Sequence, residues 1–243
     1  MGNLFSRIQC FPEIKSPKYI YSLVIFITNN EYFHDEDCKN VKFLLAQINQ
    51  NNISQFHFIT KKKHFESLDK IVKNEIIDNP ITYSFVDNTN IVDAIISLKK
   101  KITTPFFFIN ADKSCFVLSD FLKNQVNFIS NKNIIYVEKL NNFFFHSLNI
   151  DELNIISSSD EKRLTKITLN KNVIRDNIVD FKNTFAANHL FFFQPSLIEY
   201  IEKIIDQKKI QELFLEKKEN SRLYDILEYI NNINMEKIYV SEK

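Results

Sequence analysis

With 243 residues, 44% hydrophobic and 25% charged, the chain has the composition of a folded domain and not of a disordered segment. A formal net charge of +1 excludes the strong global field that gathers nucleic acid nonspecifically. The single glycine, Gly2, excludes the usual Gly-rich phosphate loop, in which residues without a Cβ let backbone N–H groups approach an anion.

Three cysteines, Cys10, Cys38 and Cys115, are odd in number and lack CxxC spacing, so they form neither a disulfide framework nor a zinc knuckle. With no apolar run near the ~20 residues that cross a bilayer and no signal-peptide pattern, the expected location is cytoplasmic. The 24 Phe, the absence of Trp and the many Asn, Ile and Lys residues reflect an AT-rich coding sequence.

In chain order, residues 1–18 read as an extended N-terminal arm, 19–232 as a single α/β domain and 233–243 as a C-terminal tail. Within the domain, short apolar runs alternate with amphipathic stretches, the pattern of β-α-β units around a mostly parallel sheet flanked by helices. Residues 21–27 form the first strand. Asp35, Glu36 and Asp37 open a helix with Cys38, Val41, Leu44, Leu45 and Ile48 on one face. A strand over 55–59 and a helix over 65–76 follow, then a strand over 81–86 and a helix from about residue 89 that ends on Lys99, Lys100 and Lys101. Pro105 introduces Phe106, Phe107, Phe108 and Ile109, apolar on both faces as a central covered strand would be.

Residues 118–129 have helical period and 134–137 read as a strand. Residues 151–156 and 163–169, separated by a polar turn, form an inserted hairpin. A strand over 189–193 leads to Pro195, which suits the first position of a helix through 205, and a last helix spans 221–230.

Several local strings resemble the nucleotidyltransferase-like domain of sugar-nucleotide pyrophosphorylases, and within it the gamma and epsilon subunits of the translation initiation factor-2B exchange complex, the gamma type more closely. The strings are residues 91–95 followed by 104–112, ending in Asp112; residues 151–168 with Lys162, Arg163 and Leu164; and residues 188–195 around His189. The resemblance implies a Rossmann-like nucleotidyltransferase-type sheet and makes Asp112 the counterpart of the family's metal-binding Asp. It departs from active members where Thr28, Asn29 and Asn30 replace the Gly-rich signature, where no second Asp partner stands near the C-terminus, and where no left-handed β-helix appears within these 243 residues. The expectation is a degenerate fold with no catalytic residues and no cofactor.

Asp112 lies where a strand's carboxyl end should be, the place where open α/β sheets bind ligands; it is a weak metal candidate, since a lone carboxylate holds Mg²⁺ poorly, and a solvated or capping role is the plainer reading. The acids around His34 fit a helix start better than a metal site. His57 and His64 have no Cys or Asp at ligand spacing, and His189 reads as a packed histidine. Lys61, Lys62 and Lys63, at a helix start where cations oppose the macrodipole, are candidate RNA or phosphate contacts against a plainer reading as solvated surface.

Phe106 to Phe108 and Phe191 to Phe193 read as core, whereas Phe143, Phe144 and Phe145 are candidate partner contacts, as are Leu4, Phe5, Ile8 and Phe11 of the arm. Gly2, followed by Ser6, matches the N-myristoylation pattern, and Cys10 is a candidate second lipid site. The function expected from these features is a noncatalytic protein of the translation apparatus that binds protein subunits of an initiation complex. Two alternatives stand beside it: a ribosome-bound translation or dormancy factor contacting ribosomal RNA, and a membrane-surface adaptor if Gly2 is acylated.

Overall fold

The computed structural model describes residues 21–33, 38–46, 48, 53–76, 78–87, 90–112, 132–139, 155–159, 162–168, 184–206 and 219–242. Nine strands form one sheet: β1 (Tyr21–Phe26), β2 (Ile53–Thr60), β3 (Ile81–Phe85), β4 (Phe106–Asn110), β5 (Asn133–Lys139), β6 (Ile155–Ser158), β7 (Leu164–Thr168), β8 (Thr184–Phe193) and β9 (Ile238–Glu242). Among the described residues five α-helices accompany them: α1 (Lys39–Ala46), α2 (Phe65–Glu75), α3 (Ile91–Ile96), α4 (Pro195–Ile205) and α5 (Glu219–Asn232).

The strand order is β3-β2-β1-β4-β8-β5-β9, with the β6–β7 hairpin attached to β8. From β1 the chain steps outward through β2 to β3 in parallel, then crosses back to place β4 parallel to β1 on its other side. Right-handed crossovers put helices on opposite faces when the direction of stepping reverses. Accordingly, α1 and α2 pack on the face carrying Leu23, Ile25, Phe56, Phe58 and Phe107, while α3, α4 and α5 pack on the face carrying Val24, Phe26, Phe106 and Phe108. Every residue of β1 and β4 is buried, which is why both strands are apolar without alternation apart from Ser22 and Asn110. The reversal makes the seam between β1 and β4 a topological switch point, where sheets of this kind leave a crevice at the strand carboxyl ends.

β8 is antiparallel to both β4 and β5, and the expected Phe runs meet there as an interior ladder: Phe106 opposite Phe193, Phe107 opposite Phe192, Phe108 opposite Phe191. The ring centroids of these pairs lie 5.9, 4.9 and 6.2 Å apart, within the range where aromatic pairs contribute about 0.5–1.5 kcal/mol beyond area burial. Both Phe runs are therefore core, as expected.

The structure departs from the sequence reading in three places. The helix expected to run from 89 through Lys101 is α-helical only to Ile96; beyond it, Leu98, Lys99 and Lys101 donate to the carbonyls three residues back, a tightening common at helix ends. The late strand begins at Thr184 and carries a bulge, since Leu190 pairs with Tyr136 but the next pair is Ala187 with Val137. Residues assigned to a C-terminal tail supply β9, parallel to β5, with Ile238 and Val240 buried and Lys132 Nζ 4.2 Å above the Tyr239 ring. The helix expected over 118–129 lies outside the described residues.

Scarcity of glycine leaves its mark on the backbone. Among the described residues Cys38, Lys162, His189 and Asn234 hold φ of 44°, 58°, 58° and 54°, a region that costs a residue with a Cβ about 1–2 kcal/mol. At the β8 bulge this conformation turns His189 toward α5, where its Nδ1 is 3.3 Å from the Tyr224 hydroxyl. His189 is thus a packed histidine, as expected.

Candidate functional site at the strand carboxyl ends

The chain leaves β1 at Phe26 and β4 at Asn110, which are paired neighbours, so the residues that follow meet above the switch point. Ala111 N–H donates to the Phe26 carbonyl at 2.9 Å and extends the ladder by one step. Beyond it, the Asp112 carboxylate faces the turn after β1. The Thr28 backbone N–H donates to both its oxygens, at 2.9 and 3.0 Å; the Thr28 hydroxyl donates at 2.6 Å; and the Asn29 N–H donates at 2.9 Å. Tyr32 closes the same turn from the other side by donating its hydroxyl to the Ala111 carbonyl at 2.6 Å. Thr28 is fully buried, while Asn29 and Asp112 are half-buried.

This geometry answers the metal question posed by the sequence. An ionised carboxylate has about four lone-pair sites, and here three donors of the chain's own turn, the Thr28 N–H shared between both oxygens, take up most of them. A divalent cation at Asp112, which the family resemblance implies, does not fit this arrangement, because a cation needs lone pairs directed at it. No group of three or more His, Cys, Asp or Glu residues placed to hold a metal occurs among the described residues.

Lys61, Lys62 and Lys63 follow the last residue of β2, at the same carboxyl edge. Lys61 is extended, and Lys62–His64 form a single 3-10 turn leading into α2, with no side-chain cap on either element. Lys62 and Lys63 are exposed and Lys61 is half-buried. His64 turns inward, stacks on Phe33 with centroids 4.2 Å apart and lies 3.1 Å from Asn30 Oδ1, so this ring nitrogen carries the proton and donates. Burial first, then Lys63 and Lys61, push the His64 pKa down, opposed by the charge of Asp112. His64 thus feels both the charges of Lys63 and Lys61 and that of Asp112.

His57 belongs to a different cluster, on the α3 face near the sheet edge. Lys101 Nζ donates to Ser84 Oγ at 2.6 Å and approaches the Tyr83 carbonyl at 3.5 Å. Ser84 Oγ is 2.8 Å from His57 Nε2, His57 Nδ1 is 2.7 Å from Thr82 Oγ1, and Thr82 Oγ1 donates to the Phe56 carbonyl at 3.2 Å. An ammonium can only donate and a carbonyl only accept, so the protons run one way: Ser84 donates to Nε2, and Nδ1–H donates to Thr82. Burial, reinforced by Lys101, lowers the His57 pKa to about 4. His57 stays neutral and locks β3 onto β2, while Lys101 covers an edge carbonyl, a common protection for an edge strand.

Comparison with solved structures decides the fold. A T. maritima inositol-1-phosphate CTP transferase superposes with a TM-score of 0.60 at 12% identity, covering 92% of this chain and 86% of that one. The fold is nucleotidyltransferase-like. A 4-diphosphocytidyl-2C-methyl-D-erythritol synthase from Anaerococcus prevotii gives 0.60 at 12% identity, over 93% and 89% of the two chains. A CMP:2-keto-3-deoxy-manno-octonic acid synthetase complexed with CTP gives 0.58 at 8%, over 92% and 90%. No family model and no curated protein sequence matches the chain.

These neighbours confirm the nucleotidyltransferase-like, Rossmann-like sheet with its hairpin and overturn the expected function. They are a CTP transferase, a synthetase complexed with CTP and a synthase, not translation factors, so the expected role in translation, exchange-factor-like or ribosome-bound, does not stand; the membrane-adaptor alternative rests on Gly2, which lies outside the described residues. The reason is physical as much as comparative: the strings that resembled an exchange-factor subunit are strand ends and a hairpin, features that this fold shares across many activities.

Of the residues singled out from sequence, the structure places Asp112 and Lys61 to Lys63 at one edge. Gly2, Leu4, Phe5, Ile8, Cys10, Phe11 and Phe143 to Phe145 lie outside the described residues. No described helix is long and apolar enough to cross a membrane. Sequence reasoning missed Thr28 and Asn29 as partners of Asp112, and their signal was available: they follow within three residues of the end of β1, the strand next to the one that ends at Asn110.

Proposed function

We propose that this chain is a binding protein that keeps the nucleotidyltransferase-like fold without its transferase chemistry, and that its ligand is a phosphorylated pyrimidine nucleotide. The observation that carries the first half is the engagement of both Asp112 oxygens by three donors of Thr28 and Asn29, which takes up most of the lone pairs a catalytic cation would need. The turn after β1 also has no glycine where the backbone would approach a triphosphate.

The ligand class draws support from two sources. Among the neighbours, one is a CTP transferase and another a synthetase complexed with CTP. On this chain, Lys61, Lys62 and Lys63 follow β2 at the carboxyl edge of the sheet, and ammonium groups bind phosphate as point charges.

Calorimetric titration with CTP, with and without Mg²⁺, tests the reading. The expected result is equal affinity in both conditions, weakening with salt and falling about tenfold in a Lys61→Glu, Lys63→Glu double variant. Binding that requires Mg²⁺, or no binding at all, contradicts it.

A further inference from the structure

β3 ends the sheet on its side, so one of its edges has no partner strand. Backbone parity tells which groups stand there. The Phe56 N–H donates to the Pro80 carbonyl and the Val86 N–H to the Thr60 carbonyl, so the even-numbered residues turn their backbone groups toward β2. Ile81, Tyr83 and Phe85 therefore turn theirs outward. Among the described residues, the contact that reaches these outward groups is Lys101 Nζ, 3.5 Å from the Tyr83 carbonyl. The same ammonium donates to Ser84 Oγ at 2.6 Å, which holds it beside the strand.

The strand is otherwise suited to pairing. Its five residues, Ile81–Phe85, are β-branched, aromatic or Ser, with no charge and no proline, the features of an edge open to another chain. Phe85 is 50% exposed and packs edge-on against Phe65, with centroids 5.3 Å apart. The outward set is also self-complementary. An antiparallel copy centred on Tyr83 sets Tyr83 opposite Tyr83 and Ile81 opposite Phe85 at both ends, so that every outward N–H meets an outward carbonyl. The same symmetry brings two Lys101 ammonium groups toward the axis, where like charges repel.

We propose that the β3 edge is a pairing surface for a second copy of this chain, and that Lys101 is the guard that holds it closed. The ammonium covers the Tyr83 carbonyl, at the centre of the symmetric register, and meets its own copy across the axis. It therefore opposes this partner twice, by occupying an acceptor and by charge. Neutralising Lys101 opens the edge. The inference is independent of the nucleotide reading, since it concerns the sheet edge and not the crevice.

The test is sedimentation of full-length wild type, Lys101→Gln, Lys101→Arg and the Lys101→Gln, Phe85→Lys double variant over a range of concentrations, with amide exchange across β3. Lys101→Gln is expected to dimerise about tenfold or more tighter than wild type, with new protection at Ile81, Tyr83 and Phe85 and none gained at Thr82 and Ser84. Lys101→Arg keeps the charge and should match wild type, while Phe85→Lys puts a charge back on the edge and should reverse the dimer. A measurement on wild type alone stands beside these, in case Lys101→Gln does not fold: raising salt from about 0.05 to 1 M screens the two ammonium groups and should tighten its self-association.

A folded Lys101→Gln that sediments like wild type overturns the inference, as does salt-insensitive wild type if that variant does not fold. A dimer that leaves the exchange of Tyr83 and Phe85 unchanged, or that survives Phe85→Lys, lies on another surface and overturns it too.

Discussion

Thr28 and Asp112, 84 residues apart in sequence, are joined by a backbone N–H shared between both carboxylate oxygens and by a 2.6 Å hydroxyl bond. They close the seam between β1 and β4, the place where this topology otherwise leaves a ligand crevice. A residue type associated with metal binding is here used to hold two strand ends together.

That role predicts a stability cost. Asp112→Ala leaves the N–H groups of Thr28 and Asn29 and the Thr28 hydroxyl without their acceptor, at a cost of roughly 3 kcal/mol, measured as a drop in the free energy of denaturant unfolding. Asp112→Asn is expected to cost less, because its amide oxygen still accepts. A loss under 1 kcal/mol in Asp112→Ala would mean that the carboxylate is not holding the turn.

His57 makes stability depend on pH. Its pKa falls from 6.5 in the unfolded chain to about 4 in the folded one, so below 6.5 the unfolded state binds the extra proton. Stability is full above pH 6.5 and is lost as pH falls through about 4, by about 3 kcal/mol in total. His64, also lowered, adds in the same direction. Unfolding free energies between pH 7.5 and 4 check this, and His57→Gln should flatten most of the slope.

The left-handed residues give the opposite kind of prediction. Lys162 is exposed, in the turn where its N–H bonds the Ser159 carbonyl and its own carbonyl accepts from Val240. Lys162→Gly keeps both backbone bonds and relieves the Cβ, so it should stabilise the protein by about 1 kcal/mol. A neutral or destabilising result in chemical denaturation would show that the lysine side chain makes up the difference.

Asn231 is the buried tie among α5, the hairpin and β9. Its side chain donates to the Leu164 carbonyl at 2.8 Å and accepts from Ile238 N–H at 3.2 Å and from Arg163 Nε at 3.4 Å. Asn231→Ala strands a buried carbonyl and a buried N–H, at a cost of about 2–3 kcal/mol. Amide exchange in β9 is the sensitive readout, with faster exchange at Ile238 and Val240 expected.

The sheet was legible in the sequence wherever burial writes itself into the pattern: the apolar run 23–26, the all-apolar 106–109, the helical stripe from Phe65 to Ile76, and Pro195 at a helix start. What escaped notice depends on nonlocal pairing. β9 is a short run whose partner, β5, lies far away in sequence, so nothing local distinguishes Ile238–Glu242 from a tail. The ends of β1 and β4 were each visible, but only the register that sets Phe26 beside Asn110 brings Thr28 to Asp112. Likewise the 27-residue separation of His57 and Ser84 hides their contact until β2 and β3 are paired, and Lys101 looked like a helix-ending cation because its reach back to the edge strand requires the helix to stop early.

The central claim, that this fold binds without transferring, is tested most directly by pyrophosphate release. Purified wild type and Asp112→Ala are incubated with Mg²⁺, CTP or TTP, and a panel of phosphorylated sugars and polyols. The account predicts no release above background in either protein. Release by wild type that disappears in a folded Asp112→Ala variant would contradict it, and would make Asp112 a catalytic metal ligand.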